Sequence, residues 1–203
     1  MAIVVIGGHS RSVGKTSVVS GLIAALPQFH WTALKITQYG HGICSANGQS
    51  CDCACADHEW AISEERDRSG KSDTSRFLLA GAESSIWVRT EQGRLAEAMP
   101  SLETRIAGRQ NVICESNSVL RFIRPDLYLT VLDPETRDFK ASAREFLDFA
   151  DALIVQEKAN QATKWTNVCL RADTARPVFR IRPPRYVTPE IVEFVRSRLG
   201  SID

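Results

Sequence analysis

The sequence predicts an α/β protein built on a mostly parallel, doubly wound sheet, and three observations carry that prediction. Short apolar runs alternate with helical patterns along the 203 residues, the arrangement that gives strands joined by crossover helices. Several runs, such as Asp126-Leu127-Tyr128-Leu129-Thr130-Val131-Leu132, are nearly continuous in leucine and β-branched residues, as in strands covered on both faces. At the N-terminus, strand-like Ala2-Ile3-Val4-Val5-Ile6 leads straight into a glycine-containing loop and then a helical repeat.

Each element has its own signal. After the first strand, Val18, Leu22 and Leu26 recur at helical spacing, and Pro27 stops the helix. Further strands are expected at 30–36, 85–89, 111–115, 126–132, 152–155 and 177–181. Ser72 or Asp73 is a natural N-cap for a helix ending near Gly81. The last helix has Thr188 as N-cap, Pro189 at its first position, and Ile191, Val195 and Leu199 on one stripe. Ligands of such sheets lie beyond the carboxyl ends of the strands. The loop after the first strand, residues 35–39 and Glu115 all fall there, so three separate segments should converge on one crevice.

Composition narrows the function classes. With 43% hydrophobic residues the chain can bury one sizeable core, which predicts a single domain over 1–203 with a cysteine-rich insertion at about 40–60. A net charge of +1 argues against nucleic acid or an anionic membrane surface as a partner. No apolar run approaches the roughly 18 residues of a membrane span, and the first strand lacks the basic front of a signal peptide. A cytoplasmic protein is expected. Six cysteines in that setting favour metal or redox chemistry over disulfides.

The chemistry concentrates in Gly7-Gly8-His9-Ser10-Arg11-Ser12-Val13-Gly14-Lys15-Thr16-Ser17. A strand, a glycine loop, Lys-Thr and a helix together form a cradle of backbone N–H groups at a helix N-terminus, where the dipole also favours anions. Residues 8–17 are therefore candidate nucleotide-binding residues. Lys15 would reach the β- and γ-phosphates as a catalytic cation, and the Thr16 hydroxyl would ligate Mg²⁺. The strict pattern wants glycine at position 9, which holds His9, while Gly8 stands one residue early.

Other residues extend the site. Glu115 closes an apolar strand, where a carboxylate can complete a Mg²⁺ site begun by Thr16. Asp73 is either a helix cap or a further carboxylate for Mg²⁺ or substrate. Lys35 sits deep in an apolar strand, and lysine seldom enters a core unpaired, so it should emerge at the strand end facing an anion, with snorkelling to solvent as the alternative; a catalytic part for it comes only from the family resemblance below. Cys51, Cys53 and Cys55 alternate, which places three thiols on one side of an extended backbone. Cys44 or His58 would complete a tetrahedral zinc site there, and an iron–sulfur cluster is the alternative. After the strand at 152–155, Gln156-Glu157-Lys158-Ala159-Asn160 occupies the place where GTP-specific proteins carry Asn-Lys-x-Asp. Lys158 is the candidate base-contacting residue, and the choice of ATP or GTP stays open.

The loop spacing, the lysine of the second strand, Ser72-Asp73 and Glu115 resemble the branch of P-loop NTPases that contains dethiobiotin synthetase and molybdopterin-guanine dinucleotide biosynthesis protein B. Gly70-Lys71-Ser72-Asp73 running to Ala80-Gly81-Ala82, with a strand at once after it, is similar to the molybdopterin protein in particular. The resemblance covers the N-terminal half. It implies a Mg²⁺-dependent GTPase or ATPase assisting cofactor assembly beside a partner enzyme, in many relatives as a homodimer. The dethiobiotin synthetase side implies instead an ATP-dependent ligase, with the Lys35 position acting at the substrate. A nucleotide-switched metal-binding protein using the cysteine loop is the third expectation.

Overall fold

The computed structural model describes residues 1–39, 60–157, 164–165, 168 and 176–200. Its strands are β1 (Ala2–Gly8), β2 (Trp31–Tyr39), β3 (Trp60–Glu64), β4 (Ser84–Glu91), β5 (Asn111–Glu115), β6 (Leu127–Leu132), β7 (Ala152–Gln156) and β8 (Val178–Ile181). Its helices are α1 (Lys15–Ala25), α2 (Asp73–Leu79), α3 (Leu95–Ile106), α4 (Ala141–Phe146) and α5 (Pro189–Leu199). One sheet takes up all eight strands in the order β3-β4-β2-β5-β1-β6-β7-β8. Every pairing is parallel except β3 with β4.

The apolar runs form the central strands because such residues must be covered on both faces. Val4, Val5 and Ile6 of β1 have no exposed surface. On one face Val4 and Ile6 pack with Val18, Leu22 and Leu26 at the end of α1, Phe77 of α2, and Ile191 and Val195 of α5. On the other face Val5 packs with Leu95, Ala98, Leu102 and Ile106 of α3 and Ala143 of α4. Helix, sheet and helix thus make three layers, the doubly wound α/β architecture that the sequence predicts.

The sheet order puts the glycine loop after β1 at a switch point. From β1 the chain crosses to β2 on one side, while β6 flanks β1 on the other and β5 fills the gap between β1 and β2. Loops diverge from the carboxyl ends of β1 and its neighbours, and a crevice opens there. Ile6 lies opposite Glu115, and Lys35 lies opposite the same Glu115 from the far side. The glutamate is therefore shared between the first and second strands.

One element departs from the expectations. The antiparallel edge strand β3 was not anticipated, because Trp60-Ala61-Ile62-Ser63 is short and its side chains are only half-buried. It gains its strand from pairing with β4, a long-range contact that no local pattern encodes. Helix α3 contains Pro100, yet its stripe of Leu95, Ala98, Met99, Leu102 and Ile106 is buried against the sheet. That packing outweighs the single lost backbone bond.

Candidate nucleotide site

The loop between β1 and α1 is open and braced from below. Ser12 has φ 57° and Gly14 has φ 90°, so the backbone turns twice through the left-handed region before α1 begins. Such turns point successive N–H groups into a concavity suited to an anion. Lys15, Thr16 and Ser17 add the N–H groups of the helix's first turn, which lack intrahelical partners. The early glycine has a steric reason: a Cβ on Gly8 would stand 2.9 Å from Cγ and Cδ of Lys15, whose side chain crosses above it. A Cβ on Gly14 would fall 2.1 Å from the Tyr186 ring, in addition to the cost of its positive φ.

His9 explains the departure from the strict loop pattern. Its side chain is fully buried and turned away from the cleft. Nδ1 lies 2.8 Å from the Asp138 carbonyl, and Nε2 accepts from the Asp133 N–H at 3.0 Å. These two partners require the neutral imidazole with its proton on Nδ1. The ring also packs against Phe139 and Trp165 at 5.0 and 5.4 Å. Ser10 is tied down in the same direction, its Oγ donating to Asp138 at 2.7 Å, and Val13 is fully buried. His9, Ser10 and Val13, expected as nucleotide-binding residues, therefore fasten the loop by their side chains. Gly8, Arg11, Ser12, Gly14, Lys15, Thr16 and Ser17 line the cleft.

Burial holds His9 below its ordinary pKa, with the Asp138 backbone bond working the other way. The unfolded chain then takes up the His9 proton before the folded one does. The stability contributed by the neutral ring is complete above the unfolded value near 6.5 and is lost as pH falls below it. Urea unfolding at pH 7.5, 6.5 and 5.5 should show the wild type weakening on acidification. His9→Asn should show a smaller decline over the same range; an equal decline would remove His9 from this role.

Four residues predicted from separate segments meet at one point. The Lys35 ammonium donates to Glu115 Oε1 at 2.6 Å and to Asp73 Oδ2 at 2.7 Å, and lies 3.5 Å from Thr16 Oγ1. Thr16 Oγ1 donates in turn to Glu115 Oε2 at 2.8 Å. Asp73 is available because Ser72 does the capping: its Oγ accepts from the Ser75 N–H, and Ser75 returns the bond. Burial opposes a charge on Lys35, but Glu115 and Asp73 outweigh it and hold the ammonium above its ordinary pKa. The anion expected opposite Lys35 is a pair of the protein's own carboxylates.

Lys15 is placed differently. Its ammonium donates to the Ser10 carbonyl at 2.6 Å, folded back over the loop. Burial lowers its pKa to about 8, with Glu115 raising it and Lys140 and Lys35 lowering it further. An ammonium so poorly compensated is disposed to accept a phosphate partner.

These residues form one wall of a cleft of about 1000 Å³. Among the described residues, seven basic side chains line it (Arg11, Lys15, Lys35, Arg76, Arg89, Arg121 and Lys140) against two acidic ones, Asp73 and Glu115. A chain of net charge +1 thus concentrates positive charge where the loop opens, which focuses the field on an anionic ligand. Past the loop, the cleft continues over the outer ends of β2 and β4. There Trp87 Nε1 donates to Thr37 Oγ1 at 3.1 Å, and the Arg89 guanidinium lies 4.3 Å from the Trp87 ring centroid.

Sequence reasoning missed the braces of the loop. Asn117 accepts from the Gly8 N–H at 2.9 Å and donates to the Gly8 carbonyl at 2.8 Å. Gln156 Nε2 donates to the Val13 carbonyl at 2.9 Å. Nothing in their local sequence marks them, since both act across the fold on another segment's backbone. Glu157 pairs with Arg182 at 2.6 Å. Lys158, Asn160, Cys44, Cys51, Cys53, Cys55 and His58 lie outside the described residues. Among the described residues no cluster of His, Cys, Asp and Glu has the arrangement of a metal centre, Cys114 is buried with a free thiol pushed up in pKa by that burial, and no helix is long and apolar enough to cross a membrane.

No family model matches the chain, and no curated protein matches it in sequence. Among solved structures it is similar to LpxK from Aquifex aeolicus in complex with ATP, at 16% identity and a TM-score of 0.49, over 89% of this chain and 53% of that one. It is also similar to HypB from Helicobacter pylori in complex with nickel, at 13% identity and a TM-score of 0.44, over 98% and 85% of the two chains. The chain spans about half the length of LpxK. The chain itself has a parallel sheet wound in this order, a glycine loop after its central strand and a helix opening on Lys15-Thr16, an arrangement that gathers backbone N–H groups at a helix N-terminus, where an anion is favoured.

Proposed function

We propose that the chain binds a Mg²⁺–nucleoside triphosphate in this cleft and hydrolyses or transfers its terminal phosphoryl group in the service of cofactor assembly, as the resemblance to molybdopterin-guanine dinucleotide biosynthesis protein B implies. The observation that carries the reading is the convergence of Thr16, Lys35, Asp73 and Glu115 beside the Lys15 loop. Oxygen donors from a hydroxyl and two carboxylates suit Mg²⁺, which prefers hard oxygen ligands and keeps several waters. When bound, Mg²⁺ would neutralise charge on the phosphates. Loop N–H groups and Lys15 would hold the phosphate chain and stabilise the charge that develops during transfer. Asn117 and Gln156 would keep the loop in place from behind, so little reorganisation accompanies binding.

The ligase reading has its own support. The cleft extends past the loop over Thr37, Trp87 and Arg89, which leaves room for a second, anionic substrate beside the terminal phosphate. Nucleotide turnover that requires an added small carboxylate would favour that reading. Slow turnover raised by a partner enzyme would favour the accessory NTPase.

Thermal melting with ATP, GTP, ADP and GDP, each with and without Mg²⁺, tests the proposal directly, because a ligand of the folded state stabilises by mass action. A rise in Tm that needs both a triphosphate and Mg²⁺ is expected, and the base that gives the larger rise names the nucleotide. A panel without any shift at millimolar ligand would dismiss the reading.

A further inference from the structure

Lys35 forms more than an ion pair. Its ammonium has Glu115 and Asp73 oxygens at 2.6 and 2.7 Å and the Thr16 hydroxyl at 3.5 Å, the three side chains whose oxygens would otherwise surround a metal ion. Glu115 is only 4% exposed, and a carboxylate so buried needs a compensating cation. Lys35 is the cation in direct contact with it; two nearby cations make their hydrogen bonds to other groups, Lys15 to the Ser10 carbonyl and Arg76 to Ser17 at 3.2 Å.

We infer that Lys35 is a tethered counter-ion occupying the divalent-cation seat of the nucleotide-free protein, so that metal and nucleotide must arrive together. This rests on the proposed nucleotide site. A metal ion alone would have to displace an ammonium held by its own strand at high effective concentration, and Mg²⁺ sheds its water reluctantly. Nucleotide phosphates change the balance by bringing negative charge that supplies both a ligand for the ion and a new partner for the released ammonium. Lys35 thereby couples the two ligands, and the coupling is reciprocal: each raises the affinity for the other by the same factor.

Titration with Mn²⁺ alone, reading free Mn²⁺ by electron paramagnetic resonance, tests the inference without any measurement of activity. Wild type should bind Mn²⁺ at least tenfold more weakly than Lys35→Met, and Glu115→Gln added to Lys35→Met should remove the gain. Lys35→Met should also melt lower than wild type in chelator and recover when Mn²⁺ is added. Equal Mn²⁺ affinity in wild type and Lys35→Met overturns the inference. Should Lys35→Met fail to fold, Lys35→Gln replaces it, and, where melting has shown that ADP binds, wild type alone still decides: after correction for Mn²⁺ held by free ADP, Mn²⁺ affinity unchanged by saturating ADP overturns it, and a rise of tenfold or more supports it. If no nucleotide binds at all, the proposed function falls, while the Mn²⁺ comparison between variants still tests the counter-ion seat by itself.

Discussion

Replacing Glu115 by alanine should destabilise the metal-free protein by about 3 kcal/mol, the low end for opening a buried ion pair, because Asp73 still holds Lys35. The loss has three sources. The Lys35 ammonium, with a side chain 17% exposed, gives up its shortest partner at 2.6 Å. Thr16 loses the acceptor of its hydroxyl. A small cavity opens at the carboxyl end of β5, between β1 and β2, whose residues Ile6 and Lys35 both pair with position 115. Urea denaturation at pH 7.5 measures the change. Glu115→Gln should lose less, since it keeps the shape and an acceptor for Lys35. A difference below about 0.5 kcal/mol for the alanine variant would mean that the cluster contributes nothing to the fold, as with exposed surface pairs.

Lys15→Ala should act on binding. Removing a charge-assisted contact to phosphate costs about 1.5–3 kcal/mol, a loss of roughly 10- to 150-fold in nucleotide affinity. The fold should survive, because among the described residues the Lys15 ammonium hydrogen-bonds to the Ser10 carbonyl and makes no ion pair. The pH dependence identifies the group. With its pKa lowered to about 8 by burial, the free protein's Lys15 loses its proton as pH rises through that value. Bound phosphates would keep the proton on, so wild-type affinity should fall above pH 8 by up to tenfold per unit. The alanine variant should be flat over pH 7–9. Calorimetric titration at three pH values checks both statements, and unchanged affinity in the variant would dismiss the cradle.

Much of this site was legible because its parts are local. The strand, loop and helix of residues 2–25 are written in apolar periodicity, glycine and Lys-Thr, and the strand-end rule placed Lys35 and Glu115 on the same crevice. Asp73 stayed ambiguous from sequence because Ser72 and Asp73 are equally good caps. The structure resolves that ambiguity through the reciprocal bonds of Ser72 and Ser75, which leave Asp73 facing Lys35. His9 looked like a damaged loop position. Its partners, Asp133, Asp138, Phe139 and Trp165, lie more than 120 positions away, and no window around His9 contains them.

What the sequence determined by itself is whatever depends on neighbours along the chain. Periodicity selected strands and helices, caps and prolines bounded them, and continuous apolar strands required a sheet covered on both faces. Only the tertiary structure decided which distant groups share a point. Whether Lys35 faces a ligand or a carboxylate pair, whether position 9 touches phosphate or the underside of its loop, and how seven cations gather in a nearly neutral chain are questions about side chains from different strands. Electrostatic and hydrogen-bond energies fall steeply with distance in space, and the spacing of residues along the chain carries no record of that distance until the sheet has assembled.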